Sequence, residues 1–180
     1  MRRGGKGDRV MDTNKAAETV RRLKEAGLHV CFAESCTGGL CSAFITEIGG
    51  ASEVFDFGAV TYSNAMKEKL LGVSHETLAE FGAVSLQTAR QMARGIAAFS
   101  GAEIGVGVTG IAGPGSDGTD KPVGLIYLSV HTADGYERVV ELRNRFTGDV
   151  RAQNRAAAVE AAFALVCEYL DFRENKNGKQ

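Results

Sequence analysis

The stretch Glu34-Ser35-Cys36-Thr37-Gly38-Gly39 sets two hydroxyls, a thiol and two glycines where an apolar run, residues 29–33, meets the helical spacing of Leu40, Phe44 and Ile48. A strand that turns into a helix at such a point leaves main-chain N–H groups unpaired and directs the positive end of the helix dipole at a site. Those groups can hold a phosphate or stabilise a tetrahedral oxyanion. Ser35 is then a candidate nucleophile, although Ser35 or Thr37 could equally be only a helix cap beside a tight turn. Cys36 is a second candidate, because a helix N-terminus lowers a thiol pKa, or else a small buried hydrophobe.

A serine is inert near neutrality unless a neighbour takes its proton. The chain has no GxSxG elbow and no obvious histidine partner, and the SxxK spacing fails because position 38 is glycine. Lys67 is the best-placed base, five residues after Tyr62 in Thr61-Tyr62-Ser63-Asn64-Ala65-Met66-Lys67. A strand end followed by a first helical turn could bring both side chains to one pocket, and burial would lower the lysine pKa. The plainer reading makes Lys67 a solvated helix lysine and Tyr62 a rim aromatic. The glycine-dense residues 109–118 could approach a ligand closely or merely connect elements. Arg151 and Arg155 lie one helical turn apart and could pair on a phosphate or simply face solvent. His29, His75 and His131 lack metal-ligand spacing, so no metal site is expected, and Cys31, Cys36, Cys41 and Cys167 read as free thiols.

The elements that must position these groups are visible in the periodicity. Ala16, Ala17, Val20 and Leu23 mark a first helix that Gly27 ends, and residues 54–62 form a second strand. Ser63 or Asn64, Ser74 and Ser85 can each cap a helix, the last carrying Ala89, Met92, Ala93 and Ile96 on one face. Ile104, Val106 and Val108 alternate with glycine in a strand that feeds the glycine-rich loop. Residues 123–130 and 136–146 read as a hairpin turned at Thr132-Ala133-Asp134-Gly135. A final helix carries Ala152, Ala156, Val159, Phe163, Val166 and Leu170 as its apolar stripe. Parallel-type units early and an antiparallel hairpin late predict a single-domain three-layer α/β/α sandwich with a mixed sheet.

The 180 residues suit one domain that buries roughly 70% of its unfolded surface. We expect a flexible arm over residues 1–12, a domain over 13–172 and a frayed tail over 173–180. A net charge of −1 favours a small-molecule site over nucleic acid or an anionic membrane. Apolar runs are too short for a membrane span and the N-terminus lacks the apolar core of a secretion signal, so a cytoplasmic protein is expected.

Ala33-Glu34-Ser35-Cys36-Thr37-Gly38-Gly39, Thr61-Tyr62-Ser63-Asn64 with Lys67, Gly82-Ala83-Val84-Ser85, Val108-Thr109-Gly110-Ile111-Ala112-Gly113-Pro114 and Lys121-Pro122-Val123-Gly124 stand in one order along residues 15–170. Together they resemble the CinA C-terminal domain family, whose stand-alone members include nicotinamide mononucleotide amidohydrolases. The resemblance implies hydrolysis of the carboxamide of that pyridine nucleotide to nicotinic acid mononucleotide and ammonia, without a cofactor. It implies Ser35 as nucleophile, Lys67 as its base and Tyr62 as a partner that positions or relays the proton. Thr37, Gly38, Gly39, Asn64, Thr109, Gly110, Gly113 and Arg155 would contact the substrate, and a homodimer is implied. One departure stands out: after Phe146-Thr147-Gly148-Asp149 the family usually has arginine, whereas this chain has Val150, with arginines at 151 and 155. The rival reading is a catalytically silent nucleotide-binding module acting with a protein partner.

Overall fold

The computed structural model describes residues 13–178, so the expected arm over residues 1–12 lies outside it. The chain order is α1 (Asn14–Ala26), β1 (Val30–Glu34), α2 (Leu40–Thr46), a 3-10 turn (Ala51–Glu53), β2 (Phe55–Val60), α3 (Asn64–Leu71), α4 (His75–Phe81), α5 (Leu86–Ser100), β3 (Ile104–Gly110), β4 (Leu125–Thr132), β5 (Glu137–Arg143) and α6 (Val150–Asn177). The strands form one sheet in the order β2-β1-β3-β4-β5. β1 runs parallel to β2 and β3, and β3, β4 and β5 alternate in direction. This is the mixed three-layer sandwich that the pattern of elements predicts.

β1 explains the layering. All five of its residues are buried, because a strand flanked by parallel neighbours is covered on both faces. Val30 and Phe32 face α1, α2 and α6, where Phe32 meets Phe55 at 5.8 Å and Phe163 at 5.6 Å between ring centroids. Cys31 and Ala33 face the other way, toward Leu71 of α3, Leu78 of α4 and Met92 and Ile96 of α5. The chain therefore leaves β1 for one layer and β2 for the opposite one. Diverging connections of this kind open a crevice at the carboxyl ends of the strands.

Register fixes what stands in that crevice. Glu34 pairs with Val60 on one side and Val108 on the other, so Ser35, Thr61 and Thr109 follow at one level. Ser35 N–H donates to the Val108 carbonyl at 3.0 Å and Thr61 N–H to the Glu34 carbonyl at 2.9 Å, which ties the three strand ends together.

The helix behind Lys67 is set by two missing side chains. A Cβ on Gly107 of β3 would lie 2.4 Å from the Ala89 carbonyl oxygen, so α5 rests directly on the strand. A Cβ on Gly95 would lie 1.9 Å from the Leu71 carbonyl oxygen, so the end of α3 rests directly on α5. Ser63, Ser74 and Ser85 cap their helices as expected, each hydroxyl accepting a main-chain N–H three residues on.

Two boundaries differ from the sequence reading. The hairpin strands are shifted, with β4 running to Thr132, whose N–H donates to the Tyr136 carbonyl at 3.0 Å. α6 continues to Asn177 instead of fraying from residue 173. The cause is Arg22 of α1, whose guanidinium bridges Asp171 at 2.7 Å and Glu174 at 2.8 Å and binds that turn to the body. Among the described residues no helix is long and apolar enough to cross a membrane.

Candidate active site

Ser35 is the first residue beyond β1, and the turn it opens is held by an acid immediately before it. The Glu34 carboxylate is fully buried and accepts from Gly39 N–H at 2.9 Å, Cys41 N–H at 3.1 Å, Ser42 N–H at 2.9 Å and the Ser42 hydroxyl at 2.8 Å. Four donors and the helix dipole compensate the buried charge. This changes one expectation: the N-terminus of α2 does not face a ligand, because Glu34 occupies it. Gly38, with φ +61°, takes the left-handed conformation that lets the chain turn back onto Glu34.

The free donors lie earlier in the turn. Gly38 N–H donates to the Ser35 carbonyl at 3.1 Å, closing the turn. Gly38 is therefore not available to an oxyanion. Among the described residues the N–H groups of Cys36 and Thr37 donate to no other residue. They are the two amides that directly follow the serine.

Lys67, on the second turn of α3, reaches across the crevice and is fully buried. Its Nζ lies 3.1 Å from Ser35 Oγ, 2.7 Å from the Thr61 carbonyl and 3.4 Å from the Tyr62 carbonyl. As an ammonium it has three donors for three acceptors; as an amine it keeps two for the carbonyls and aims its lone pair at the serine hydroxyl. Burial lowers its pKa from 10.5 to about 8, so the amine is a minor species at pH 7 and half of the population near pH 8, far more than an exposed lysine offers. Cys36 behaves oppositely. Burial pushes its thiol up to about 12, and the nearby charges of Lys67 and Arg155 offset only part of that cost. It is a protonated thiol and a poor rival nucleophile.

The structure gathers some of the other expected residues and disperses the rest. Tyr62 is 65% exposed and touches Lys67 through its carbonyl, while its hydroxyl makes no hydrogen bond among the described residues. Asn64 is exposed at the start of α3. The Thr109 hydroxyl is buried and donates to the Ala83 carbonyl at 2.7 Å, holding the α4–α5 link. Tyr62, residues 110–113, Gly115, Ser116, Asp117 and Arg151 line an open cleft of about 220 Å³. Arg151 Nη1 donates to the Gly113 carbonyl at 2.9 Å, which leaves the Nε–Nη2 edge of its fork unpaired among the described residues. Arg155 instead turns to the serine loop, donating to the Thr37 carbonyl from Nη2 at 2.8 Å and Nε at 3.3 Å. Val150 packs near Gly113, whose Cβ would sit 3.2 Å from its methyl.

Sequence reasoning assigns no role to three residues that build the site. Besides Glu34, Asn154 donates to the Ala112 carbonyl at 3.0 Å, and Lys121 donates to the Phe81 and Val84 carbonyls at 2.6 and 2.7 Å. Asn154 left a trace: it shares a helical face with Ala158 and Ala162, all buried, so a polar group there must find a partner.

A serine hydroxyl against a buried lysine, with two adjacent free amides at the carboxyl ends of parallel strands, is equipped for nucleophilic acyl transfer. Residues 12–170 match the CinA C-terminal domain, and the chain belongs to that family. It is 46% identical over 153 residues to the nicotinamide-nucleotide amidohydrolase PncC of Enterobacter agglomerans, covering 85% of this chain and 90% of that protein. It is 52% identical over 150 residues to a putative competence-damage inducible protein of Caldicellulosiruptor bescii, covering 82% of this chain but only 36% of that longer protein. Among solved structures, the competence/damage inducible protein CihA of Agrobacterium tumefaciens superposes with a TM-score of 0.79 at 45% identity, covering 88% of this chain and 96% of that one.

Proposed function

We propose that this chain hydrolyses the carboxamide of nicotinamide mononucleotide, giving nicotinic acid mononucleotide and ammonia, with Ser35 as nucleophile. The observation that carries the reading is the 3.1 Å contact between Ser35 Oγ and a fully buried Lys67. No carboxylate pairs with Lys67 among the described residues, so no ion pair offsets the burial that favours the amine, and the amine can act as base. Ser35 Oγ bonds to the amide carbon as its proton passes to Lys67. The oxyanion is met by the N–H groups of Cys36 and Thr37. Lys67 then protonates the leaving nitrogen, the C–N bond breaks and ammonia departs, leaving an ester on Ser35. Lys67 takes a proton from water, which attacks the ester; the bond from the acyl carbon to Ser35 Oγ breaks, Lys67 returns the proton to that oxygen and nicotinic acid mononucleotide leaves.

The phosphate of the substrate would lie in the cleft that begins at Tyr62. There the free fork edge of Arg151 and the glycine-rich loop would receive it, while the Asp117 carboxylate is turned to Thr119 N–H at 3.1 Å. The relative that this chain matches along nearly its whole length is named for this activity, which supports the substrate class. Ammonia release from purified protein supplied with nicotinamide mononucleotide tests the proposal. Release that Ser35→Ala abolishes supports it; tight binding without release supports the silent module instead.

A further inference from the structure

The turn from Ser35 to Gly38 has two peptide planes whose orientation is pinned and two N–H groups that bond to no other residue among the described ones. The Ser35 carbonyl accepts from Gly38 N–H. A planar trans peptide directs its carbonyl and its N–H oppositely, so this bond turns the Cys36 N–H out of the loop. The Thr37–Gly38 plane is held at both ends, its N–H by the Ser35 carbonyl and its oxygen by Arg155 at 2.8 and 3.3 Å. The only other donor to that oxygen among the described residues is Leu40 N–H, at a weak 3.4 Å.

The fit between arginine and turn is close. Arg155 Nη2 lies 3.4 Å from where a Gly38 Cβ would stand. That is van der Waals contact, so the guanidinium lies directly against the turn, whose glycine is required by its φ of +61°. The contact uses Nε and Nη2 together, the edge with which arginine grips a carboxylate or phosphate. Arg151, one turn earlier on α6, keeps that edge free beside the open cleft.

We infer that Arg155 is a positioning residue for the oxyanion turn, holding the Thr37 carbonyl so that the Cys36 and Thr37 amides stay aimed at the reacting carbon, and that it is not the phosphate ligand. The inference rests on the serine reading above. It gives the two arginines of α6 different roles, Arg151 serving the anion of the substrate and Arg155 the geometry of the transition state. A residue of the second kind affects turnover of any acyl or sulfonyl electrophile at Ser35, whether or not it carries a phosphate.

The test uses the wild type, Arg155→Ala and Arg155→Lys with nicotinamide mononucleotide, nicotinamide riboside and a small sulfonyl fluoride. In the last reaction Ser35 Oγ bonds to sulfur, the S–F bond breaks, fluoride leaves and the proton passes to Lys67. The label is located on Ser35 by peptide mass. For Arg155→Ala the expected result is a fall of about 100-fold in kcat for the mononucleotide and in the labelling rate, the size of losing one oxyanion donor. KM for the mononucleotide stays within about threefold, and any measurable riboside turnover falls by the same factor. Arg155→Lys, which can still donate to the carbonyl, recovers part of both rates. A KM for the mononucleotide raised tenfold or more, with kcat and labelling unchanged, overturns the inference and makes Arg155 a phosphate ligand. Thermal unfolding of each variant is measured alongside; if Arg155→Ala is unfolded, Arg155→Lys alone decides between the two patterns. Wild-type protein that neither releases ammonia nor takes the label at Ser35 overturns the serine reading and this inference with it. Wild-type activity that Arg155→Ala shares in full overturns this inference alone.

Discussion

Replacing Lys67 by methionine separates what the lysine does for chemistry from what it costs the fold. Methionine has a similar length and no charge. In the wild type the Lys67 pKa falls from 10.5 to about 8 on folding. At about 1.4 kcal/mol per unit, keeping the ammonium buried at pH 7 costs about 3 kcal/mol of stability. Against this, methionine leaves the Thr61 and Tyr62 carbonyls without the donor they have at 2.7 and 3.4 Å, a loss of about 2 kcal/mol in total. Lys67→Met is therefore expected to lie within about 1 kcal/mol of wild type at pH 7 while losing nearly all turnover.

The pH dependence gives the sharper form. Below pH 8 the lysine is protonated in both folded and unfolded protein, and above 10.5 it is neutral in both. Between these values the unfolded chain holds a proton that the folded protein lacks, so raising pH favours the folded state. Wild-type stability minus Lys67→Met stability should thus rise by about 3 kcal/mol between pH 7 and 10.5, and the subtraction cancels every other titrating group. Urea unfolding at a series of pH values measures it. In parallel, kcat/KM of the wild type should rise with pH through the same value of about 8 and then level. A stability difference flat from pH 7 to 10.5, or a kcat/KM without a rise near 8, refutes the buried-amine argument.

Ser35→Ala should abolish ammonia release with a thermal midpoint near wild type, whereas Cys36→Ala should keep most activity, because the Cys36 thiol is pushed up to about 12; steady-state assays of both decide it. Glu34→Gln should destabilise by about 2 kcal/mol in denaturant unfolding, because an amide nitrogen replaces one of the two oxygens that receive the N–H groups of Gly39, Cys41 and Ser42. Arg151→Ala should raise KM for nicotinamide mononucleotide about tenfold and leave the riboside unchanged, since a charge-assisted bond of about 1.5 kcal/mol is lost only with the phosphate. Gly107→Ala should cost about 2 kcal/mol of stability and lower kcat, because α5 must withdraw from β3 and carry α3 with it.

Periodicity marks the strands and helices because β1 and β3 are buried strands and α1 and α5 each bury one apolar face. Ser63, Ser74 and Ser85 are legible as caps because a short hydroxyl before a helical run has few other uses. The pairing of Ser35 with Lys67 is legible only in outline, since 32 residues separate them and register across β1 and β2 closes that gap. The sequence misleads where two groups compete for one partner. Ser35 to Gly39 looks like an open helix start, and nothing in the spacing shows that the Glu34 side chain fills it. Thr109 looks like a ligand contact, yet its hydroxyl has a nearer carbonyl in Ala83. Such competition depends on a few tenths of an ångström in three dimensions and leaves no mark in spacing.

The same logic explains why the crevice can hold an amine where water would favour an ammonium. Lys67 is buried because α3 cannot move away from the sheet: Leu71 rests on Gly95, and α5 rests on Gly107. Both contacts lie on the side of the sheet opposite Glu34 and α2. Ser35 and Lys67 are thus delivered by two helical layers that pack on opposite faces of the sheet. Tight packing in one layer fixes the lysine, and a saturated hydrogen-bond network in the other fixes the serine turn. The 3.1 Å distance between Lys67 and Ser35 is set by both layers at once, so a defect in either should lengthen it. Gly107→Ala and Glu34→Gln act from opposite faces on that one distance. Combined, they should lower kcat by less than the product of their separate effects, since a proton transfer broken once cannot be broken again. Fully multiplicative losses in the double variant would show that the two layers act on different steps.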